Sequence, residues 1–471
     1  MADSMTEQKR YFFCGIGGSG MLPLAMILSG QGAEVSGSDR SRDQGRTAEK
    51  FEWLEAQGMS LFPQDGSGLI SGDQVLVASA AVEDTVPDVA AALKLGCRRV
   101  SRAELLSELF NSATTPIGVA GTSGKSTTTA MIAQILHQAG KAPTVMNGAV
   151  MKNFLTPEHP FASALVGAGH GLFVSELDES DGTIALYNPR IAVLNNISVD
   201  HKSMDELRVL FGDFIARASG CAVLNADDEE VMALAHRAHA ARTYSIRGLP
   251  AEMTATDITP APVSIRFTLN DNLNHVSLPV ELKVPGRHNV SNALAAISAT
   301  APLVGLENAV RALERFQGIK RRFEVVGTAN GITVIDDFGH NPDKIAATLS
   351  TLHDFPGRVL AMFQPHGFGP LRKMRREFAE TFARHLGEED VLVMPEPVYF
   401  GGTVDRAVSS ADLAGDIREL GRSAEALETR EACGQRLAEL ARHGDRIVVM
   451  GARDDTLSDF ALQLLTAFSC R

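Results

Sequence analysis

The stretch Gly118-Val119-Ala120-Gly121-Thr122-Ser123-Gly124-Lys125-Ser126-Thr127-Thr128-Thr129 constrains this 471-residue chain more than any other. A short apolar run, Pro116 to Val119, precedes it and reads as a strand, and the apolar positions of Ala130 to Leu136 recur at helical spacing. Strand, glycine-rich turn and helix in that order make a phosphate cradle. The glycines let backbone N–H groups converge on oxygen, and the helix N-terminus adds partial positive charge. On this reading Gly121, Thr122, Ser123, Gly124, Lys125, Ser126 and Thr127 hold the phosphates of a nucleotide such as ATP. Lys125 reaches the outer phosphates and the Ser126 hydroxyl serves Mg2+. Val119 stands where the strict Walker pattern has glycine, so the signal is Gly-Lys-Ser in its strand–turn–helix context.

A second glycine-rich turn lies near the N-terminus. Tyr11-Phe12-Phe13-Cys14 reads as a buried strand, Gly15-Ile16-Gly17-Gly18-Ser19-Gly20 fits G-x-G-x-x-G, and Met21 to Leu28 is helical. A further strand, Glu34 to Gly37, ends at Asp39, and Gln74 to Ala78 ends at Ser79. The spacing predicts a Rossmann-like, pyrophosphate-binding start with Gly15, Gly17, Gly18, Ser19, Gly20, Asp39 and Ser79 around a substrate. The same turn is compatible with NAD, so a dehydrogenase is an alternative at this point.

The length implies about three domains. The polar, proline-ended segment Asn111 to Pro116 marks the first boundary, and the strand–helix alternation after Phe323 predicts a second Rossmann-like sheet. The expected fold is therefore α/β with three domains. Residues 1–112 form a Rossmann-like N-terminal domain, 113–320 a central P-loop ATPase domain and 321–471 a Rossmann-like C-terminal domain.

A formal charge of −13, from 44 basic and 57 acidic residues with no dense basic run, excludes nucleic acid as a partner. Apolar segments fall short of the roughly eighteen residues of a membrane span. The polar first ten residues predict no signal peptide. Cys14, Cys97, Cys221, Cys433 and Cys470 form no Cys-x-x-Cys pair, which predicts reduced thiols, a cytoplasmic chain and no structural zinc.

After the cradle, the strand Gly171 to Ser175 runs into Glu176-Leu177-Asp178-Glu179-Ser180-Asp181, and the strand Ile191 to Leu194 into Asn195-Asn196-Ile197-Ser198-Val199-Asp200-His201. Acids and a histidine at the carboxyl edge of a parallel sheet lie where ligands bind. Oxygen ligands with one imidazole suit magnesium.

These segments, with Gly-Arg-His-Asn-x-x-Asn-Ala from Gly286, Arg-Arg-Phe-Glu from Arg321 and Asp-Asp-Phe-Gly-His-Asn-Pro from Asp336, resemble the Mur ligase family along essentially the whole chain. Within it, Gly-Ile-Gly-Gly-Ser-Gly-Met and Val-Ser-Gly-Ser-Asp most resemble the branch that joins UDP-N-acetylmuramate to L-alanine, and its murein tripeptide relative. The resemblance implies an ATP-dependent ligase that joins a carboxylate to an amine through an acyl phosphate. The donor would be like UDP-N-acetylmuramate, the acceptor an amino acid or peptide, and the protein a monomer or homodimer. It further implies Lys125, Glu176, His201 and His340 as catalytic residues, and Ser126, Glu176 and His201 as metal ligands. Asn289 and Asn292 would lie near the adenine, and Arg322 and Asp337 would reach the nucleotide from the third domain. Other branches carry a carbamylated lysine in the helix after Asp-His, where this chain has Arg208. Cyanophycin-type and polyglutamate-type ligases, and a catalytically inactive nucleotide-binding relative, are the further alternatives.

Two departures concern the acceptor. After Gln364-Pro365-His366 the family pattern continues with arginines that bind the amino acid's carboxylate, whereas this chain has Gly367-Phe368-Gly369-Pro370; later, Arg453 replaces a glycine. Either Arg453 or Arg372 takes over the role, or the acceptor is different and larger. The room left by the two glycines favours the second, so L-alanine is expected to be a poor acceptor.

Overall fold

The computed structural model describes residues 9–79, 82–169, 171–179, 182–199, 202–398, 406–452, 454 and 456–469. The chain divides into two compact units, each taken by itself here. The first comprises residues 1–254, 271–274 and 292–313, and the second residues 255–270, 275–291 and 314–471.

The first unit holds two sheets. Its N-terminal sheet is wholly parallel, with spatial order Ser60–Phe62, Glu34–Ser38, Arg10–Cys14, Gln74–Ala78, Arg98–Ser101. Strand order reverses between Arg10–Cys14 and Gln74–Ala78, so the carboxyl ends that flank this switch point carry the Gly15–Gly20 turn and Ser79. Phe13, Leu24, Ile27 and Leu54 are fully buried on one face; Phe12, Leu76 and Val89 are buried on the other.

In the central sheet the strand Thr115–Ala120 lies between Leu172–Glu176 and Ile191–Leu194, both parallel to it. Thr144–Met146 lies parallel beyond Leu172–Glu176, and Cys221–Asn225 and Ala241–Ser245 extend the sheet on the other side. The phosphate turn therefore opens between two strand ends, one acidic and one rich in asparagine. The following helix, Lys125–Gln138, is buried from Thr128 to Leu136, which fixes its N-terminus under that opening.

One apolar cluster runs through both sheets of the first unit. Phe110 packs edge-on against Phe173 and Tyr187, with ring centroids 5.8 and 5.3 Å apart, and Trp53 packs edge-on against Phe161 at 5.3 Å. The Trp53 indole also donates to Glu158 O at 2.8 Å. These contacts tie the N-terminal layer to the central one, and such aromatic pairs add to simple area burial.

In the second unit a six-stranded sheet has the order Glu324–Ala329, Ile332–Asp337, Arg446–Gly451, Val359–Gln364, Val391–Pro395, Ser423–Leu427, parallel except for its first pair. Apolar clusters cover both faces. The Ser264–Asp271 and Val276–Leu282 strands group mainly with this unit. Several elements exceed the sequence expectation, among them Thr144–Met146, Cys221–Asn225, Ala241–Ser245, Ser423–Leu427 and the helices Ser410–Glu419 and Thr456–Ser469. The strands are short, and a run of three to five residues carries little periodicity. The last helix does show apolar helical spacing, at Leu457, Phe460, Ala461, Leu464 and Phe468.

Among the described residues, no helix is long and apolar enough to cross a membrane.

The second sheet is locked at its amino edge by Arg358, whose guanidinium meets Asp445 with contacts of 2.7 and 3.2 Å and donates to Leu440 O at 2.6 Å. Asp445 also accepts from Arg442 N at 2.7 Å. The pair is largely buried, so Asp445→Ala strands a guanidinium and is expected to cost ~3 kcal/mol, read as a lowered melting temperature of the full chain.

Candidate active site

The phosphate turn is pinned to the end of the Ile191–Leu194 strand. Thr122 N donates to Asn196 O at 3.1 Å, Ser123 N to Asn196 Oδ1 at 2.8 Å, and Asn196 Nδ2 returns to Ser123 O at 3.1 Å. Thr122 Oγ1 and Ser198 bond in both directions, at 2.9 and 3.1 Å. Asn195 Nδ2 holds Thr128 Oγ1 at 3.0 Å, and Thr128 Oγ1 in turn meets Asn292 Oδ1 at 3.3 Å. Gly124 has φ +82°, and a Cβ there would lie 2.5 Å from Asn292 Oδ1, so glycine is required twice over. Asn195 and Asn196 thus emerge as builders of the turn; the sequence signal was two amides at a strand end beside a glycine-rich loop.

Lys125 Nζ lies 2.8 Å from Gly121 O and 2.9 Å from Glu179 Oε2. The pair is buried, with Glu179 only 5 % exposed at its side chain. Glu179 is thus the counter-ion of Lys125. It belongs to the acidic run noted in the sequence, where Glu176 alone was singled out.

Glu176 ends the neighbouring strand with Oε2 buried and, among the described residues, without a hydrogen-bond partner. Ser126 is buried on the first turn of the helix, its carbonyl accepting from Asn147 Nδ2 at 3.2 Å. A carboxylate oxygen and a hydroxyl are the hard donors a magnesium ion takes, so these residues fit the expected metal. His201 lies outside the described residues, as do Asp200, Ser180 and Asp181. Among the described residues no group of three or more His, Cys, Asp or Glu converges as a metal site. Arg208 makes a bidentate pair with Glu230, with both contacts 2.7 Å, and so has a surface role.

At the N-terminal switch point Asp39 uses both carboxylate oxygens on backbone: Gly17 N donates to one at 2.9 Å and Ser41 N to the other at 2.8 Å. It shapes the turn and caps the helix Arg40–Asp43. Lys50 Nζ reaches Gly17 O at 3.3 Å, placing an unforeseen cation beside the turn. Gly15 and Ile16 donate to Ser38 O at 2.8 and 3.0 Å, and Gly18 N donates to Gly15 O at 3.1 Å, folding Gly15, Gly17, Gly18, Ser19 and Gly20 into one loop beneath Met21–Gly30.

The second unit groups Arg321, Arg322, Asp337, His340 and Asn289. Asp337 is buried and accepts from Phe323 N, Gly339 N and Thr348 Oγ1, at 2.8, 3.0 and 2.8 Å. Arg321 is buried too, donating to Gly451 O at 2.8 Å and lying 3.6 Å from Asp336. Arg322 lies over the Phe338 ring at 4.1 Å, and Asn289 Nδ2 donates to Pro285 O at 2.6 Å. Backbone φ of +58° at Arg321 and +48° at Phe323 puts this loop in a strained region that tertiary bonds must hold. His340 stacks edge-on with Phe338 and His366, and its Nδ1 meets Phe338 O at 2.9 Å. Burial, then Lys344, His366 and Arg322, push its pKa down to about 3, so it is a neutral imidazole near pH 7.

Taken together, the parallel sheets, the phosphate turn with its lysine and the acidic strand end define a nucleotide-dependent enzyme that handles terminal phosphates. Three Mur ligase sequence profiles match successive parts of the chain: the family's catalytic domain over residues 10–114, its middle domain over 119–300 and its glutamate ligase domain over 321–453. Among similar proteins, UDP-N-acetylmuramate–L-alanine ligase of Caldicellulosiruptor bescii is 32% identical over 456 residues, 94% of this chain and 96% of that protein. The protein of the same name from Ruegeria pomeroyi is 35% identical over 456 residues, 93% of each chain. The crystal structure of UDP-N-acetylmuramate–alanine ligase from Thermotoga maritima superposes with a TM-score of 0.76 at 26% identity, covering 97% of this chain and 98% of that one. A murein peptide ligase from Psychrobacter arcticus gives 0.67 at 26% identity, covering 98% and 99%. The chain belongs to the Mur ligase family and is an ATP-dependent ligase of peptidoglycan precursor synthesis; the oxidoreductase reading falls away.

Lys125→Ala is expected to lower turnover by roughly 10²-fold or more. Because it strands the buried Glu179 carboxylate, it also costs ~3 kcal/mol. Adding Glu179→Gln restores the melting temperature while turnover stays low.

His340 binds its extra proton only when the chain unfolds, because its folded pKa of about 3 lies below the ordinary 6.5. Its contribution to stability is therefore full above about pH 6.5 and is lost as pH falls toward 3. Melting temperatures of His340→Asn across this range should fall less steeply than those of the parent.

Proposed function

We propose that this chain activates the carboxylate of UDP-N-acetylmuramate, or a close analogue, with ATP and joins it to the amino group of an acceptor. The single observation that carries this reading is Lys125 poised on Gly121 O and Glu179 inside a turn pinned by Asn195 and Asn196, beside the unpartnered Glu176 oxygen. Lys125 moves from Glu179 to the transferring phosphoryl group and neutralises the charge that gathers there. The donor carboxylate attacks the γ-phosphoryl group, giving an acyl phosphate and ADP; the acceptor amine then displaces phosphate and leaves an amide. Ser126, Glu176 and His201 would hold magnesium, which supplies charge neutralisation of the phosphates. The Gly15–Gly20 turn and Ser79, at the switch point, take the donor's pyrophosphate, with Lys50 as an added cation. Asn289 and Asn292 of domain 113–320, with Arg322 and Asp337 of domain 321–471, remain the proposed nucleotide contacts, His340 remains a proposed catalytic residue, and domain 1–112 takes the donor. We place the reaction in the cytoplasm, where its nucleotide substrates are.

Relatives are named for L-alanine, yet this chain's acceptor segment differs. Gly367 to Pro370 opens the helix Phe368–His385 with no side-chain cation of its own. Arg375 is held bidentately by Asp416 at 2.6 and 2.7 Å, and Arg430 meets Asp454 at 3.1 Å. Both are committed within the protein, and Arg453 lies outside the described residues. A free amino acid's carboxylate needs a paired cation when buried. Arg372, two residues beyond Pro370, is the candidate fork that the sequence offers, and a larger acceptor that carries its carboxylate further out fits the segment better.

Phosphate release from ATP with UDP-N-acetylmuramate, across amino acids and short peptides, tests both halves. Release that requires the UDP-sugar is expected, with kcat/KM for L-alanine at least tenfold below the best acceptor. L-alanine leading by tenfold would make the segment a rebuilt alanine pocket, and NAD turnover in place of ATP turnover would overturn the ligase reading.

A further inference from the structure

Asn147 and Gly148 directly follow Thr144–Met146, the strand parallel to Leu172–Glu176. Asn147 is 1 % exposed. Its Nδ2 is spent on Ser126 O at 3.2 Å, and its backbone N on Ser163 O at 2.9 Å. The atom left over is Oδ1, buried and, like Glu176 Oε2, without a partner among the described residues. Both are acceptors, so they cannot satisfy one another, and neither can receive a phosphate or carboxylate oxygen. Only a donor or a cation satisfies them. Lys125, the cation of the phosphate turn, is committed to Glu179.

Gly148 shows how closely this corner is fitted to Glu176. A Cβ at 148 would overlap Glu176 Oε1 and lie 2.9 Å from its Cδ and 3.3 Å from Oε2. The carboxylate stands where it does only because residue 148 has no side chain. A neutral amide oxygen, a carboxylate oxygen and the Ser126 hydroxyl are all hard donors, the set a small divalent cation selects.

We propose that Asn147 Oδ1 is a further protein ligand of the divalent cation held by Ser126 and Glu176, and that Gly148 is the positioning residue that seats the Glu176 carboxylate. This rests on the reading of Ser126 and Glu176 as metal ligands. Neither Asn147 nor Gly148 stood out in the sequence, because their chemistry depends on Glu176, 29 and 28 positions away.

Mn2+ binding to the full chain, followed by electron paramagnetic resonance with a non-hydrolysable ATP analogue present, provides the test. Asn147→Ala is expected to weaken Mn2+ about tenfold. Asn147→Asp, which keeps an oxygen and adds charge, should not weaken it. Gly148→Ala should weaken Mn2+ as well, and Glu176→Asp in the same chain should restore it, because the shorter side chain withdraws the carboxylate from the added methyl. Analogue affinity in metal-free buffer should stay constant across the series. Mn2+ affinity of Asn147→Ala within twofold of the parent, with Glu176→Gln weakened, overturns the Asn147 assignment and leaves the metal site standing. Unchanged binding in Glu176→Gln removes the metal site itself. Should Asn147→Ala fail to fold, weaker binding by Asn147→Asp or no restoration in the Gly148→Ala, Glu176→Asp chain overturns the proposal.

Discussion

The ammonium of Lys125, held between Gly121 O and the buried Glu179 carboxylate, is the interaction around which the first unit is arranged. A lysine free to wander would lose much of its side-chain entropy only when phosphate arrives, and binding would weaken accordingly. Here that ordering is completed during folding. The Glu179 charge, costly to bury alone, is balanced by the same ammonium.

The surrounding sheet makes this placement possible. Placing Thr115–Ala120 between Leu172–Glu176 and Ile191–Leu194 brings three chain segments far apart in sequence to one carboxyl edge. One edge contributes carboxylates, the other contributes amides that fasten the turn, and the buried helix Lys125–Gln138 holds its N-terminus beneath them. The N-terminal sheet repeats the principle at its own switch point, where Asp39 is consumed in shaping the glycine turn. The strand-end acid that in other dinucleotide folds faces a ribose is here a backbone clamp, which removes the strongest argument for a nicotinamide cofactor.

In the second unit, His340, expected to be catalytic, and Asp337, expected to reach the nucleotide, also carry structural load, as does Arg321 beside them. Asp337 accepts three hydrogen bonds, Arg321 is buried against the sheet, and His340 is kept neutral by burial. The loop from Arg321 to Phe323 adopts left-handed backbone at two non-glycine positions, a conformation that Asp337 and the carbonyl of Gly451 hold in place. Substitutions here alter stability and chemistry together, so their effects on turnover need a melting curve beside them.

The sequence by itself determined the two glycine turns, their strand–turn–helix settings, the parallel alternation of the sheets and the Mur ligase family, because these rest on local spacing and residue type. Gly124, Lys125 and Ser126 could be assigned from neighbours within a turn of helix. Tertiary structure alone decided which acid meets Lys125, that Arg321 is buried, and that Asn147 and Gly148 border Glu176. Those outcomes depend on which strand ends become adjacent and which carboxylates lose their water, and a linear pattern encodes neither. A buried acceptor without a partner is a property of three segments packed together, and it exists only once they are.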